Sequence, residues 1–118
     1  MDIKIRYVIV GIKSLDAAVT FYRDTMGFEL LSAEPEFHFA QFRVGDLEFN
    51  LAEGAGEIHG TGDRNTGIGF QVPDVDGAYA ELAAKGVRFT MEPSKQPWGG
   101  YMAMFEDPDG NVFYLDQG

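Results

Sequence analysis

The residues able to do chemistry are few in this chain of 118, so each can be weighed in turn. The lone tryptophan, Trp98, sits in Ser94-Lys95-Gln96-Pro97-Trp98-Gly99-Gly100-Tyr101. A tryptophan in a loop flanked by Pro and Gly presents a flat face for stacking a planar ligand, more strongly if that ligand is cationic. His38 lies in the aromatic run Phe37-His38-Phe39-Ala40-Gln41-Phe42 and reads as a strand histidine with a local hydrogen bond. His59 lies in a Gly-rich stretch and reads as solvated. Combined with Glu48 or Glu53, these two histidines show no spacing that recommends a metal site. There is no cysteine, which excludes a disulfide framework, a thiolate metal site and a cysteine nucleophile. Ser32 and Ser94 have no base near them in sequence, and neither G-x-S-x-G, a P-loop nor a dinucleotide-binding glycine fingerprint occurs. Asp107 and Asp109 are paired carboxylates, but the turn sequence Asp107-Pro108-Asp109-Gly110-Asn111 accounts for both.

An aromatic and acidic set remains. Phe37, Phe39 and Phe42 line a ligand face or pack as core. Tyr7, Tyr101 and Tyr114 offer hydroxyls and rings to a ligand, or are structural. Glu34, Glu36 and Glu48 receive a cation or stand as exposed charge. The formal net charge of −10 repels phosphate backbones, so nucleic acid is not an expected partner. It serves solubility or the attraction of a cationic ligand.

Something must position these side chains. Leu15, Ala18, Val19, Tyr22 and Met26 form one face of an amphipathic helix, with Ser14 at its N-cap and Gly27 at its stop. Val75, Ala78, Tyr79, Leu82 and Ala83 repeat the pattern, capped by Asp74 and ended by Gly86. Strands are predicted before each helix, at 7–10 and 68–72. Three more follow each helix: 28–32, 37–44 and 47–52 in the first half, and 87–91, 101–106 and 112–116 in the second. Gly45-Asp46 joins one pair of these and the Asp107–Asn111 turn another. On 47–52, Leu47, Phe49 and Leu51 are expected to pack under the helix, leaving Glu48, Asn50 and Ala52 on the other face.

The order β-α-β-β-β therefore occurs twice, offset by about 60 residues, which marks an internal duplication. The fold class is α+β: two βαβββ modules within one domain, module one at 1–53, a Gly-rich connection at 54–66 and module two at 67–118. With 45% apolar and 14% aromatic residues the chain can build a core. No apolar run approaches the roughly 18–20 residues of a membrane span. The charged N-terminus Met1-Asp2-Ile3-Lys4-Ile5-Arg6 lacks a leader pattern. A soluble cytoplasmic protein is the expectation.

Two blocks carry a resemblance to a known family. Ser14 to Phe28, with Phe21-Tyr22-Arg23-Asp24 and the closing Gly27-Phe28, resembles the helix of the vicinal-oxygen-chelate superfamily, and Glu106 to Asn111 resembles its last hairpin. That superfamily includes glyoxalase I, extradiol dioxygenases, fosfomycin-resistance enzymes and bleomycin-resistance proteins. The resemblance implies a curled mixed sheet around a cleft, with one helix packed on the outer face of each module. It places the metal-ligand positions of metal-dependent members on Tyr7, Asn50, Gly67 and Tyr114, none a good ligand for a divalent ion. The Gln96-Pro97-Trp98-Gly99 segment resembles that of bleomycin-resistance proteins, where it helps hold the drug; the other role open to Trp98 is to plug the cleft mouth or a dimer contact. The resemblance thus implies a binding protein without metal or other cofactor, sequestering a planar, cationic, bleomycin-like molecule as a homodimer. Its expected ligand-binding residues are Trp98, Tyr101, Phe37, Phe39, Tyr7, Asn50, Tyr114 and Glu48. The alternative is a metal-dependent enzyme of the same fold: a glyoxalase-type lyase, epimerase, dioxygenase or thiol transferase.

Overall fold

The computed structural model describes residues 1–54 and 64–118. His59 and most of the Gly-rich connection lie outside the described residues. The chain divides into two compact units, Met1–Gly62 and Asp63–Gly118, each an α+β module with one four-stranded mixed sheet.

In module one, β1 (Tyr7–Ile12) leads to helix α1 (Leu15–Thr20), followed by β2 (Glu29–Glu34), β3 (Phe39–Val44) and β4 (Leu47–Glu53). The sheet order is β1-β4-β3-β2, with β1 parallel to β4 and the other pairs antiparallel. Ser14 occupies the N-cap of α1 and its Oγ accepts from Ala17 N–H at 3.4 Å. The helix is shorter than its apolar period predicts. From Phe21 to Thr25 it widens into a π-helical turn, closed by Met26 N–H donating to Phe21 O at 2.9 Å, and Gly27 at φ 76° stops it. Tyr22 is thereby fully buried, its ring 5.0 Å from Phe49 and 5.8 Å from Phe28. Phe42 and Leu51 complete this helix-side core.

In module two, β5 (Asn65–Gln71) leads to helix α2 (Val75–Ala84), then β6 (Arg88–Lys95), β7 (Tyr101–Glu106) and β8 (Val112–Asp116), in the sheet order β5-β8-β7-β6. Strand β5 begins ahead of the expected position, so the connection is shorter than its composition suggests. Val75, Leu82, Phe105, Phe113 and Leu115 form the core beneath α2. Asp74 holds the N-cap position of α2 without a side-chain bond; the first helical N–H, that of Val75, donates instead to Gln117 Oε1 at 2.9 Å. Module one uses the equivalent device, with Leu15 N–H donating to Glu53 Oε2 at 3.3 Å. In both halves, then, the end of the last strand ties down the helix start and relieves an otherwise orphaned donor.

The expected strand 37–44 starts late. Pro35–Phe37 form a 3-10 turn and His38 adopts a left-handed conformation at φ 58°. The closing hairpin of module two is built around buried Asp107, whose carboxylate accepts from Asp109 N–H, Asn111 N–H and Asn111 Nδ2 at 2.8–2.9 Å.

Candidate functional site

The sheet face turned away from the helix is where side chains are free to meet a ligand, and the two modules furnish it differently. In module one, the ladder puts Tyr7 opposite Glu48, Ile9 opposite Asn50, Gln41 opposite Asn50 and Phe39 opposite Ala52. Paired strand residues share a face, so Tyr7, Glu48, Asn50 and Phe39 are brought together as expected. A polar relay crosses this face: Ser32 Oγ donates to Gln41 Oε1 at 3.1 Å, and Gln41 Nε2 donates to Glu48 Oε1 at 3.2 Å. Asn50 is 3% exposed, and its Oδ1 accepts no hydrogen bond. Leaving such an acceptor unpaired costs about 1–3 kcal/mol. Tyr7 is about half exposed, with the Arg6 guanidinium 6.0 Å from its ring centre.

Phe37 departs from its expected place. It belongs to the 3-10 turn rather than to β3 and is 71% exposed, at the end of the sheet and not on its face. His38 departs too: in its turn rather than in a strand, its Nδ1 lies 2.6 Å from Glu53 Oε1. Glu53 is thus engaged by both the histidine and the start of α1.

In module two the corresponding face carries thioethers and rings. Met102 pairs with Asp116, Met104 with Tyr114 and Met91 with Met104, while Gly69 lies opposite Tyr114. Methionines give such a face a soft, adaptable surface. The Tyr114 hydroxyl accepts from Asn65 Nδ2 at 2.9 Å. Tyr101 departs from its expected place: it shares its strand side with the core residues Ala103 and Phe105, and its hydroxyl donates to Asp76 Oδ1 of α2 at 2.5 Å, so it lies on the helix side and not on the open face. That bond, with some desolvation, holds its pKa above the usual tyrosine value.

Trp98 stands at the tip of the β6–β7 hairpin, 73% exposed. The tip is pinned by Gln96 N–H donating to Gly100 O at 2.7 Å and Gly99 N–H donating to Gln96 O at 2.9 Å. Gly99, at φ 97°, makes the bend. Gly100 leaves room for the ring, since a Cβ there would come within 2.9 Å of the Trp98 indole nitrogen. The hairpin backbone is thus fixed, and the surface of the indole is left to solvent.

The residues do not fit a divalent metal at the four positions implied by resemblance. Tyr7 and Tyr114 are phenols, the latter already accepting from Asn65; Asn50 is an amide, and Gly67 has no side chain. Among the described residues no group of three or more His, Cys, Asp or Glu side chains could hold an ion.

Sequence reasoning missed Gln41, Ser32, Asn65 and Asp76, the partners that orient the expected site residues. The alternation of β3 was the available signal for Gln41, since it shares a face with Phe39. The others depend on pairings distant in sequence.

Residues 4–115 match the family described as Glyoxalase/Bleomycin resistance protein/Dioxygenase superfamily. A crystal structure of a member of that superfamily from Sphaerobacter thermophilus superposes with a TM-score of 0.85 at 29% identity, over 99% of this chain and 98% of that one. TnmS3, an antibiotic binding protein from Streptomyces sp. CB03234, superposes with a TM-score of 0.79 at 31% identity, again over 99% and 98%. YraH of Bacillus subtilis is 29% identical over 95% of this chain and 96% of its own length.

Proposed function

The chain belongs to the glyoxalase/bleomycin resistance protein/dioxygenase superfamily, and from that premise we propose that it binds and sequesters a planar, cationic small molecule of the bleomycin type without converting it. The observation that carries this reading is Trp98, 73% exposed at the tip of a pinned hairpin. An exposed indole on a hairpin of fixed backbone offers a planar ligand a flat face for stacking, more strongly if the ligand is cationic. The net charge of −10 draws a cationic ligand. Similarity to an antibiotic binding protein at 31% identity supports the same reading.

The reading includes a homodimer. Met1, Ile3 and Ile5 alternate along the N-terminal stretch ahead of β1 and are all exposed, an apolar stripe of the kind that a second copy covers.

Calorimetric titration of the chelator-treated protein with bleomycin tests the proposal, with the ligand recovered afterwards and weighed by mass spectrometry. The expected result is saturable binding at micromolar affinity or tighter and a recovered ligand of unchanged mass. Absence of binding, or a converted ligand, overturns it.

A further inference from the structure

Asn50 holds a buried oxygen with no donor, on the face of the module-one sheet turned away from its helix. Its strand neighbours Phe49 and Leu51 pack on the helix side, so Asn50 projects from the opposite face. Its ladder partners there are Ile9 and Gln41. The Gln41 amide is engaged elsewhere, accepting from Ser32 through Oε1 and donating to Glu48 through Nε2. Glu48 lies two residues from Asn50 on the same strand face, roughly 7 Å away by strand rise. Arg43 is opposite Glu48 in the ladder, yet no ion pair joins them among the described residues. The face thus offers a neutral acceptor and an anionic acceptor side by side, and it supplies no donor of its own to the first. Ile9, 45% exposed, is the neighbour with room to turn aside for an incoming group.

We propose that Asn50 and Glu48 together anchor a cationic N–H donor of the ligand, an amidinium or a primary ammonium. One N–H satisfies Asn50 Oδ1 while the Glu48 carboxylate balances the charge, a charge-assisted arrangement stronger than either acceptor alone. The inference rests on the small-molecule-binding reading and names the chemical group that the open face of module one takes up. It predicts discrimination by hydrogen bonding rather than by charge: a quaternary ammonium, lacking N–H, leaves Asn50 unpaired and is rejected.

The test follows the side-chain amide resonances of Asn50 and Gln41 by nitrogen-15 NMR during titration with benzamidine and, separately, with phenyltrimethylammonium. Benzamidine is expected to shift both resonances saturably, with the quaternary cation at least about tenfold weaker. Asn50→Leu, of similar volume, is expected to abolish the preference while the rest of its spectrum stays native. Glu48→Gln keeps the fold in a second variant and is expected to weaken benzamidine binding and its dependence on salt. Equal response to the two cations, or an unresponsive Asn50, overturns the anchor. Bleomycin separates this inference from the reading beneath it. If bleomycin binds the wild type and Asn50→Leu alike, the anchor falls and sequestration stands. If bleomycin fails to bind while benzamidine still shifts Asn50, the drug falls and the anchor stands.

Discussion

On the helix side, module one buries Tyr22, Phe42, Phe49 and Leu51, and module two buries Val75, Phe105, Phe113 and Leu115. Both cores are aromatic and aliphatic, and both modules tie the helix start to the end of the last strand, through Glu53 in one and Gln117 in the other. On the opposite face the likeness ends. Module one presents Ser32, Gln41, Glu48 and the unpaired Asn50, whereas module two presents Met91, Met102, Met104 and Tyr114 and extends the hairpin that carries Trp98. A duplicated scaffold has kept the side that stabilises it and varied the side that can meet a ligand. Function on a reused fold resides in such side chains and not in the fold itself.

The largest effects test the shared side. Phe49→Ala and Phe105→Ala should each cost about 3–5 kcal/mol in unfolding free energy measured by urea denaturation. A marked inequality between them breaks the claim that the two cores are equivalent.

The closing hairpins of the modules sharpen the comparison. Asp107→Ala removes the acceptor of three bonds in a buried turn and should cost about 3 kcal/mol. Asp46→Ala, at the exposed turn of module one, should stay within about 0.5 kcal/mol. Trp98→Ala should divide the two properties cleanly. Bleomycin affinity falls by about 2 kcal/mol or more, while thermal stability is nearly unchanged because the ring is 73% exposed. Equal loss of both would place the ring in the structure rather than in binding.

The smallest effect concerns Tyr101. Its bond to Asp76 raises its pKa above the usual value near 10. A raised folded-state value means that its contribution is complete below the unfolded pKa and disappears as pH climbs through the folded one. Tyr101→Phe should therefore be slightly less stable than wild type at neutral pH, and the gap should close in the alkaline range, read by thermal denaturation across pH.

Much of the scaffold was legible because its signals are local. The 3.6-residue spacing from Leu15 and from Val75, the glycine stops and the Asp107–Asn111 turn each declare themselves within a few residues, and β7 and β8 have the predicted bounds. The misplaced features have other origins. The π-helical turn at Phe21–Thr25 preserves an apolar stripe that also fits a plain helix. Phe37 opens an aromatic run with strand character, yet the 3-10 turn that starts at Pro35 takes it out of the strand. The start of β5 at Asn65 is fixed by pairing with Val112, far along the chain, and not by its polar composition. The open faces were legible by alternation, which put Glu48 and Asn50 on one side. The Gln41 relay and the orphaned Asn50 oxygen depend on side-chain geometry that alternation does not encode.

The central claim, that Trp98 receives a planar ligand, is tested most directly by titrating the metal-stripped protein with bleomycin while following tryptophan fluorescence, which has a single source in this chain. The account predicts saturable quenching at the same ligand concentrations that produce heat in calorimetry. Heat without any change in Trp98 emission would place the ligand elsewhere and contradict it.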